Sequence, residues 1–429
     1  MSGALVSALA TLALAWQETP PQDPPQPEPV AAGQESEHEG YCSPQRFALT
    51  LSEIATKYPD FVRVESLGKS ASGSDIPLIT LARLEGDSPL ERPAMLVVAS
   101  LEADDLFGTE LAVSVARSLA VQARRDESLA ALLGRIVVYI VPCLNVDLRA
   151  QAFAALESGS LKLAPRKVDL DRNFPAGWDP LGERSAGPYP LSEPEARALA
   201  EFVVARPNIV VCTRWLSKQE ERLSGETWPA ADQQAHERLC AGLGAQGLEA
   251  ISRAGGSFLR FAYVERGAFV CALGFPFQRG GPLALPQVAE LAGLRRKALA
   301  STVALARALP RIEVSAPVVA EIGPGQWAIE LELRNSGDLP TSSALATELA
   351  VTRAPELEVR GARVVAAALV SDGEARSLAV RGERVALREL GAGERLALRI
   401  FVSGEAGAPL RLSVVSARGG RTQADAALR

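Results

Sequence analysis

The sequence predicts an α/β domain followed by an antiparallel β-sandwich, and three observations carry that expectation. Between Tyr41 and about Pro310, four near-continuous apolar runs alternate with helical patterns. Runs of this kind suit strands buried on both faces, because neither face has to alternate towards water. After Pro310 the texture changes to short runs of alternating apolar and polar residues divided by turn signals, which suits strands with one face in a core and one in solvent.

In the α/β part, strands are expected at AMLVVAS (94–100), RIVVYIVP (135–142), NIVVCTRWL (208–216) and AFVCALGF (268–275), with helices at 107–119 and 193–204 covering the sheet. In the sandwich, Ile329, Leu331 and Leu333 oppose Ala328, Glu330 and Glu332, GPG and NSGD mark turns, and further runs fall at 357–366, 375–380 and 396–402. The expected division is an α/β domain over 41–311 and a sandwich over 312–429. A chain of 429 residues is too long for one ordinary core, so two folded domains fit its length. No repeat recurs at a fixed period.

The N-terminus reads MSGALVSALATLALAWQ, with an apolar stretch over 4–15 ending in the small-x-small pattern Ala13-Leu14-Ala15. Residues 1–15 read as a signal peptide, although no Lys or Arg precedes the stretch, which is too short to span a bilayer. An exported protein, periplasmic or extracellular, is expected, with no transmembrane segment after signal removal. Residues 16–40 are proline-rich and acidic, with almost nothing to bury, and read as a disordered tether.

The net charge of −6 offers no basic face, which excludes nucleic acid and anionic lipid as expected partners. Five cysteines show no CxxC or CxxH spacing, against a structural zinc site, and the odd count leaves at least one thiol unpaired within the chain. GLGAQG (242–247) follows a helical pattern where a dinucleotide loop needs a strand, so it reads as a helix end. LGKSASG (67–73) lacks the first glycine of a phosphate loop, and no GxSxG elbow exists. There are two histidines. His38 is in the tether, and His236 lies in an expected surface helix, where a solvated side chain is the plain reading.

One feature calls for chemistry. The first buried strand runs straight into Glu102, Asp104 and Asp105, and strand ends are where rigid backbone positions side chains in a cleft. From here the order of segments resembles the zinc metallocarboxypeptidases of the carboxypeptidase A type, over Tyr41 to about Pro310. Their His-x-x-Glu followed by Gly and Glu-Leu is similar to Glu102-Ala103-Asp104-Asp105 with Gly108, Glu110 and Leu111. Pro142-Cys143-Leu144-Asn145-Val146-Asp147-Leu148 resembles their Pro-x-x-Asn-Pro-Asp-Gly. VDLDRNF at 168–174 resembles Val-Asp-Leu-Asn-Arg-Asn-Phe, and Ser192-Glu193-Pro194-Glu195 keeps a helix opening of the family. GSFLRFAYVERGAFVCALGFPF at 256–277 is similar to the segment carrying the substrate tyrosine and the catalytic glutamate.

The resemblance implies a carboxypeptidase-like mixed sheet flanked by helices. It places the zinc-ligand positions on Glu102, Asp105 and Leu216 and the general-base position on Gly274. In the family two histidines and a glutamate hold zinc, the metal polarises the scissile carbonyl, and the glutamate takes the proton of the metal-bound water. With a leucine and a glycine in those places the expectation is a pseudopeptidase without zinc or any other cofactor. Arg172 falls where the family binds the C-terminal carboxylate of its peptide, Asp171 replaces an assisting asparagine, and Tyr263 falls where a mobile tyrosine closes over substrate. Ser74 stands where many members carry another arginine, and Lys162 falls near an oxyanion arginine. The implied partner is a peptide or protein C-terminus; the alternative for Arg172 is an ion pair with Asp171 or Asp169. Arg214 shares a strand face with Leu216, and it, or failing that Arg172, is expected to neutralise Glu102 and Asp105. Two other readings stay open: a hydrolase using a hard divalent cation held by Glu102, Asp104 and Asp105, and a purely structural module. Oligomeric state is open.

Overall fold

The computed structural model describes residues 41–101, 105–158, 168–179, 184–216, 228–244, 250–251, 257–275, 277, 285–286, 288–371 and 374–429. The expected signal peptide and tether, and Glu102, Asp104 and Lys162, lie outside the described residues.

The α/β part opens with helix α1 (Pro44–Lys57), capped by Ser43, whose hydroxyl accepts the Arg46 amide, and with Pro44 in its first turn. The hairpin β1 (Val62–Lys69) and β2 (Asp75–Leu81) follows, then β3 (Ala94–Val98), α2 (Leu106–Ala123), α3 (Glu127–Arg135), β4 (Val137–Val141) and α4 (Val146–Glu157). Helix α5 (Pro194–Val204) leads into β5 (Ile209–Leu216). The remainder is α6 (Ala230–Gly244), β6 (Ala250–Ile251), α7 (Phe258–Val264), β7 (Phe269–Gly274) and the long α8 (Val288–Ala308). The sheet runs β1-β2-β4-β3-β5-β7-β6. β4, β3, β5 and β7 are parallel, whereas β1, β2 and β6 pair antiparallel, so the sheet is mixed.

Strand alternation divides the core into two layers. Met95, Val97, Ile140, Val211, Trp215 and Leu273 pack one face against α1, α2, α3, α6 and α8. Leu96, Val98, Tyr139, Cys212, Val270 and Ala272 pack the other against α5 and α7. The β1–β2 hairpin is an addition to the four strands expected from sequence. β1 is largely solvated and lacks the apolar run that marks the central strands.

The second part begins with β8 (Ile312–Val314), β9 (Val318–Gly323) and β10 (Gln326–Asn335), then a short helix α9 (Ala344–Glu348) and β11 (Glu356–Arg360). It continues through β12 (Arg363–Ser371), β13 (Glu374–Ser377), β14 (Val380–Arg381), β15 (Arg384–Ala386), β16 (Arg395–Ser403), β17 (Pro409–Ser416) and β18 (Gly420–Ala427). One antiparallel sheet runs β13-β12-β16-β10-β8, with β9 also on β10; the other runs β14-β15-β11-β17-β18. Ile329, Leu331 and Leu333 of the first sheet share a core with Leu357, Val359, Leu412 and Val414 of the second.

Two sequence expectations are corrected here. The run 357–366 is not one strand but two, β11 and β12, in opposite sheets. They divide at Gly361, which has φ +99°, and a Cβ there would collide with the Pro409 carbonyl oxygen. The run 375–380 likewise divides between β13 and β14. Among the described residues, no helix is long and apolar enough to cross a membrane.

Candidate functional site

Of the sequence-marked residues, Asp105, Leu216 and Gly274 lie at or just beyond the C-terminal ends of β3, β5 and β7, the edge where parallel strands deliver side chains into a crevice. At the end of β3, Ser100 adopts φ +49°, an uncommon conformation for a residue with a Cβ. Its hydroxyl donates to the Asp105 carbonyl at 2.5 Å and lies 2.8 Å from the Thr109 hydroxyl, which ties the strand end to α2. Asp105 is buried and caps α2: its carboxylate accepts the Gly108 amide at 2.8 Å. A Cβ on Gly108 would collide with that carboxylate, so the glycine and the cap belong together.

Leu216 closes β5 and Gly274 closes β7, directly paired in register. Two residues earlier, Arg214 is 1% exposed and sits between Val98 and Ala272 in the sheet. Its guanidinium Nη1 donates to Asp171 Oδ2 at 2.5 Å. Asp171, on a 3-10 turn formed by Leu170–Arg172, is buried as well, and its other oxygen accepts the Phe258 amide at the start of α7, 3.1 Å away. Two opposite charges removed from water need this closeness and the additional hydrogen bond, because their desolvation is otherwise uncompensated.

Arg172, next on the same turn, is more exposed. Its side chain is 42% exposed, with Nε 3.4 Å from the equally exposed Asp169 carboxylate. Of the two acids considered for Arg172, this pairing selects Asp169, while Asp171 holds Arg214. The pairing of Arg214 with Glu102 and Asp105 involves a position outside the described residues; what the structure records is its bond to Asp171.

Tyr263 stands on α7 and is buried, its ring stacked on Trp228 at 4.3 Å and 15° and its hydroxyl donating to Asp232 at 3.0 Å. This is a packed position. The reading of His236 is corrected. It is half-buried on α6, its ring edge-on to Trp228 and its Nε2 2.9 Å from the Val270 carbonyl oxygen. Burial holds its pKa below the usual 6.5. Ser74 closes a turn in which Ser70 and Ser72 donate to Asp147 at 2.7 and 2.6 Å. Cys143, Cys212 and Cys271 are buried thiols outside any disulfide, and burial pushes Cys143 up to about 11 and Cys271 up to about 12.

These residues do not fit a zinc ion of the family's kind. Leucine offers no donor at the third ligand position, glycine offers no base, and Asp105 is engaged as a helix cap. His236 is the one histidine among the described residues, and its ring nitrogen is turned to a backbone carbonyl. Among the described residues, no three His, Cys, Asp or Glu side chains are grouped to hold a metal.

A mixed sheet sandwiched by helices, with this edge architecture, defines a carboxypeptidase-type fold. The family model for zinc carboxypeptidases matches residues 49–268, and the chain belongs to that family. A second model, of a domain of unknown function, matches 311–427. Carboxypeptidase A6 of Mus musculus is 26% identical over 182 residues, covering 39% of this chain and 41% of that protein. The inactive metallocarboxypeptidase ECM14 of Ajellomyces dermatitidis is 26% identical over 164 residues, 35% of this chain and 28% of that protein. The chain therefore spans less than half the length of these relatives. Carboxypeptidase A of Helicoverpa armigera superposes with a TM-score of 0.53 at 16% identity, over 63% of this chain and 73% of that one, a likeness of fold.

Sequence reading missed two residues of this neighbourhood, Asp232 and Arg418. Asp232 looks like an ordinary polar residue in a helix, and Arg418 like a turn residue in SARGG; only the tertiary fold buries them.

Proposed function

We propose that this chain is an exported pseudopeptidase, a carboxypeptidase fold without metal-dependent hydrolysis. The observation that carries the reading is the register pair Leu216–Gly274 at the ends of β5 and β7, where the resemblance puts a zinc ligand and the general base. A leucine and a glycine supply neither, and each loss by itself removes orders of magnitude in rate. The fungal relative is named an inactive metallocarboxypeptidase, which agrees with this reading. The reading is tested by incubating the purified protein with peptides bearing aliphatic, aromatic, basic and acidic C-terminal residues. No released amino acid is expected; release abolished by a chelator would overturn it.

The residual role we assign is recognition of a carboxylate, such as a peptide C-terminus, by Arg172. Its support is a partly exposed arginine, beside Asp169, on a turn whose neighbours Leu170 and Asp171 are buried, because a preorganised fork suits a carboxylate and needs no metal. Hydrolysis has more requirements than binding, so recognition can outlast catalysis. Titration of peptides with free and amidated C-termini against wild type and Arg172→Ala tests this. Loss of the carboxylate or of the arginine should weaken binding by about 1.5–3 kcal/mol, the range for a hydrogen bond to a charged group. Equal affinity for free and amidated peptides would leave Arg172 with a structural role alone.

A further inference from the structure

The β-sandwich meets the α/β domain through buried polar contacts that converge on one short helix. Arg418, in the turn between β17 and β18, is 2% exposed. Its guanidinium donates Nε to the Pro207 carbonyl at 2.9 Å, Nη1 to the Gly267 carbonyl at 2.9 Å and Nη2 to the Arg266 carbonyl at 2.8 Å. Gly267 and Arg266 form the turn just after α7. The Ser343 hydroxyl donates to the same Gly267 oxygen at 2.7 Å while accepting the Ala346 amide as the cap of α9.

Contact at this point is close by construction. Gly267 has φ +57°, and a Cβ on it would collide with Ala346 of α9. Asp232, buried on α6, closes the arrangement from the other side. Its carboxylate accepts the Ala344 amide at 2.6 Å and the Leu345 amide at 3.2 Å from the sandwich, and the Tyr263 hydroxyl at 3.0 Å from α7. One carboxylate thus bonds to both domains and to the tyrosine.

The opposite end of α7 reaches the candidate site. Its first amide, Phe258 N–H, is bonded to Asp171, which also holds Arg214. A helix of seven residues is too short to hold itself in register, since isolated helices of this length are unstable in water. Its position must come from its two ends and its packed face.

We propose that the β-sandwich is the positioning element of α7: through Arg418, Ser343 and Asp232 it holds the helix that fixes Tyr263 in its packed position and supports the Asp171–Arg214 pair. Arg418 and Ser343 are positioning residues, acting on the site through the turn after α7. The sandwich is then a working part of the carboxypeptidase-like domain. The proposal does not depend on whether a ligand binds Arg172, and its test needs none.

The test is hydrogen exchange and tyrosine nitration on the full chain, comparing wild type with Arg418→Met and Ser343→Ala. In Arg418→Met, the amides of residues 258–264 should exchange at least about tenfold faster, as in a local opening, while those of β1 and β2 stay unchanged. Tyr263 should become open to ring nitration by tetranitromethane, whereas no nitration is expected in the wild type, where the ring is buried and the hydroxyl bonded. Faster exchange confined to the sandwich, with α7 and Tyr263 unchanged, would show simple docking without positioning and overturn the proposal. Should Arg418→Met fail to fold, Ser343→Ala decides: a smaller rise at the same amides supports the proposal, and unchanged α7 exchange overturns it.

Discussion

Asp105 shows how one residue type serves two chemistries. An acid seven residues past a buried strand and at a helix start can ligate a metal or cap the helix, and in this chain the carboxylate accepts the Gly108 amide. Sequence alone marks the place and leaves the role open. Arg214 was legible as a buried cation on the right strand face, but its partner was not, because Asp171 lies on a separate turn of the chain. That pair leads to a prediction. Asp171→Asn or Arg214→Met leaves one buried charge uncompensated and should cost about 3–5 kcal/mol in urea unfolding, the range for breaking a buried pair. Replacing both, with Asp171→Leu and Arg214→Met together, should recover most of the loss. A single variant with wild-type stability would show the pair to be inert. His236 supplies a pH prediction. Burial lowers its folded pKa below 6.5, so the unfolded chain binds the proton more readily. The stability this residue contributes is complete above about 6.5 and falls as pH drops below that value. In His236→Phe, the decline between pH 6.5 and 5 should be shallower than in wild type, read from urea midpoints.

Among the elements, the central strands were the most legible. β3, β4, β5 and β7 are apolar on both faces because α/β packing covers both, and each falls within its expected run. The β1–β2 hairpin escaped because β1 faces solvent along much of its length. In the sandwich, alternation along β10 was clear, whereas the division of 357–366 was not, since an apolar run carries no mark of which sheet its halves join. The mark is Gly361 itself, required by its positive φ and by the Pro409 backbone against it. Gly361→Ala should therefore destabilise the protein by more than about 1 kcal/mol, because alanine has neither the conformation nor the space. Unfolding indistinguishable from wild type would mean that the two strands can part without a sharp turn. Gly393, in open space though also at positive φ, is the control that isolates conformation from collision.

On the scale of the molecule, the two domains could be divided from sequence by the change of pattern near Pro310, but their union could not. Arg418 and the carbonyl of Gly267 are 151 residues apart, and neither residue type announces an interface. The family fold, the register pair Leu216–Gly274 and the Arg214–Asp171 pair describe a scaffold that keeps the architecture of a zinc carboxypeptidase while lacking a ligand set for zinc in its described residues. The most direct measurement is the zinc content of the purified full chain after equilibration with zinc and dialysis, determined by elemental analysis alongside a C-terminal amino acid release assay. A scaffold of this kind should hold zinc far below stoichiometric amounts and release no amino acid. Binding of about one equivalent, as a three-ligand catalytic site would show, together with release that a chelator stops, would contradict it.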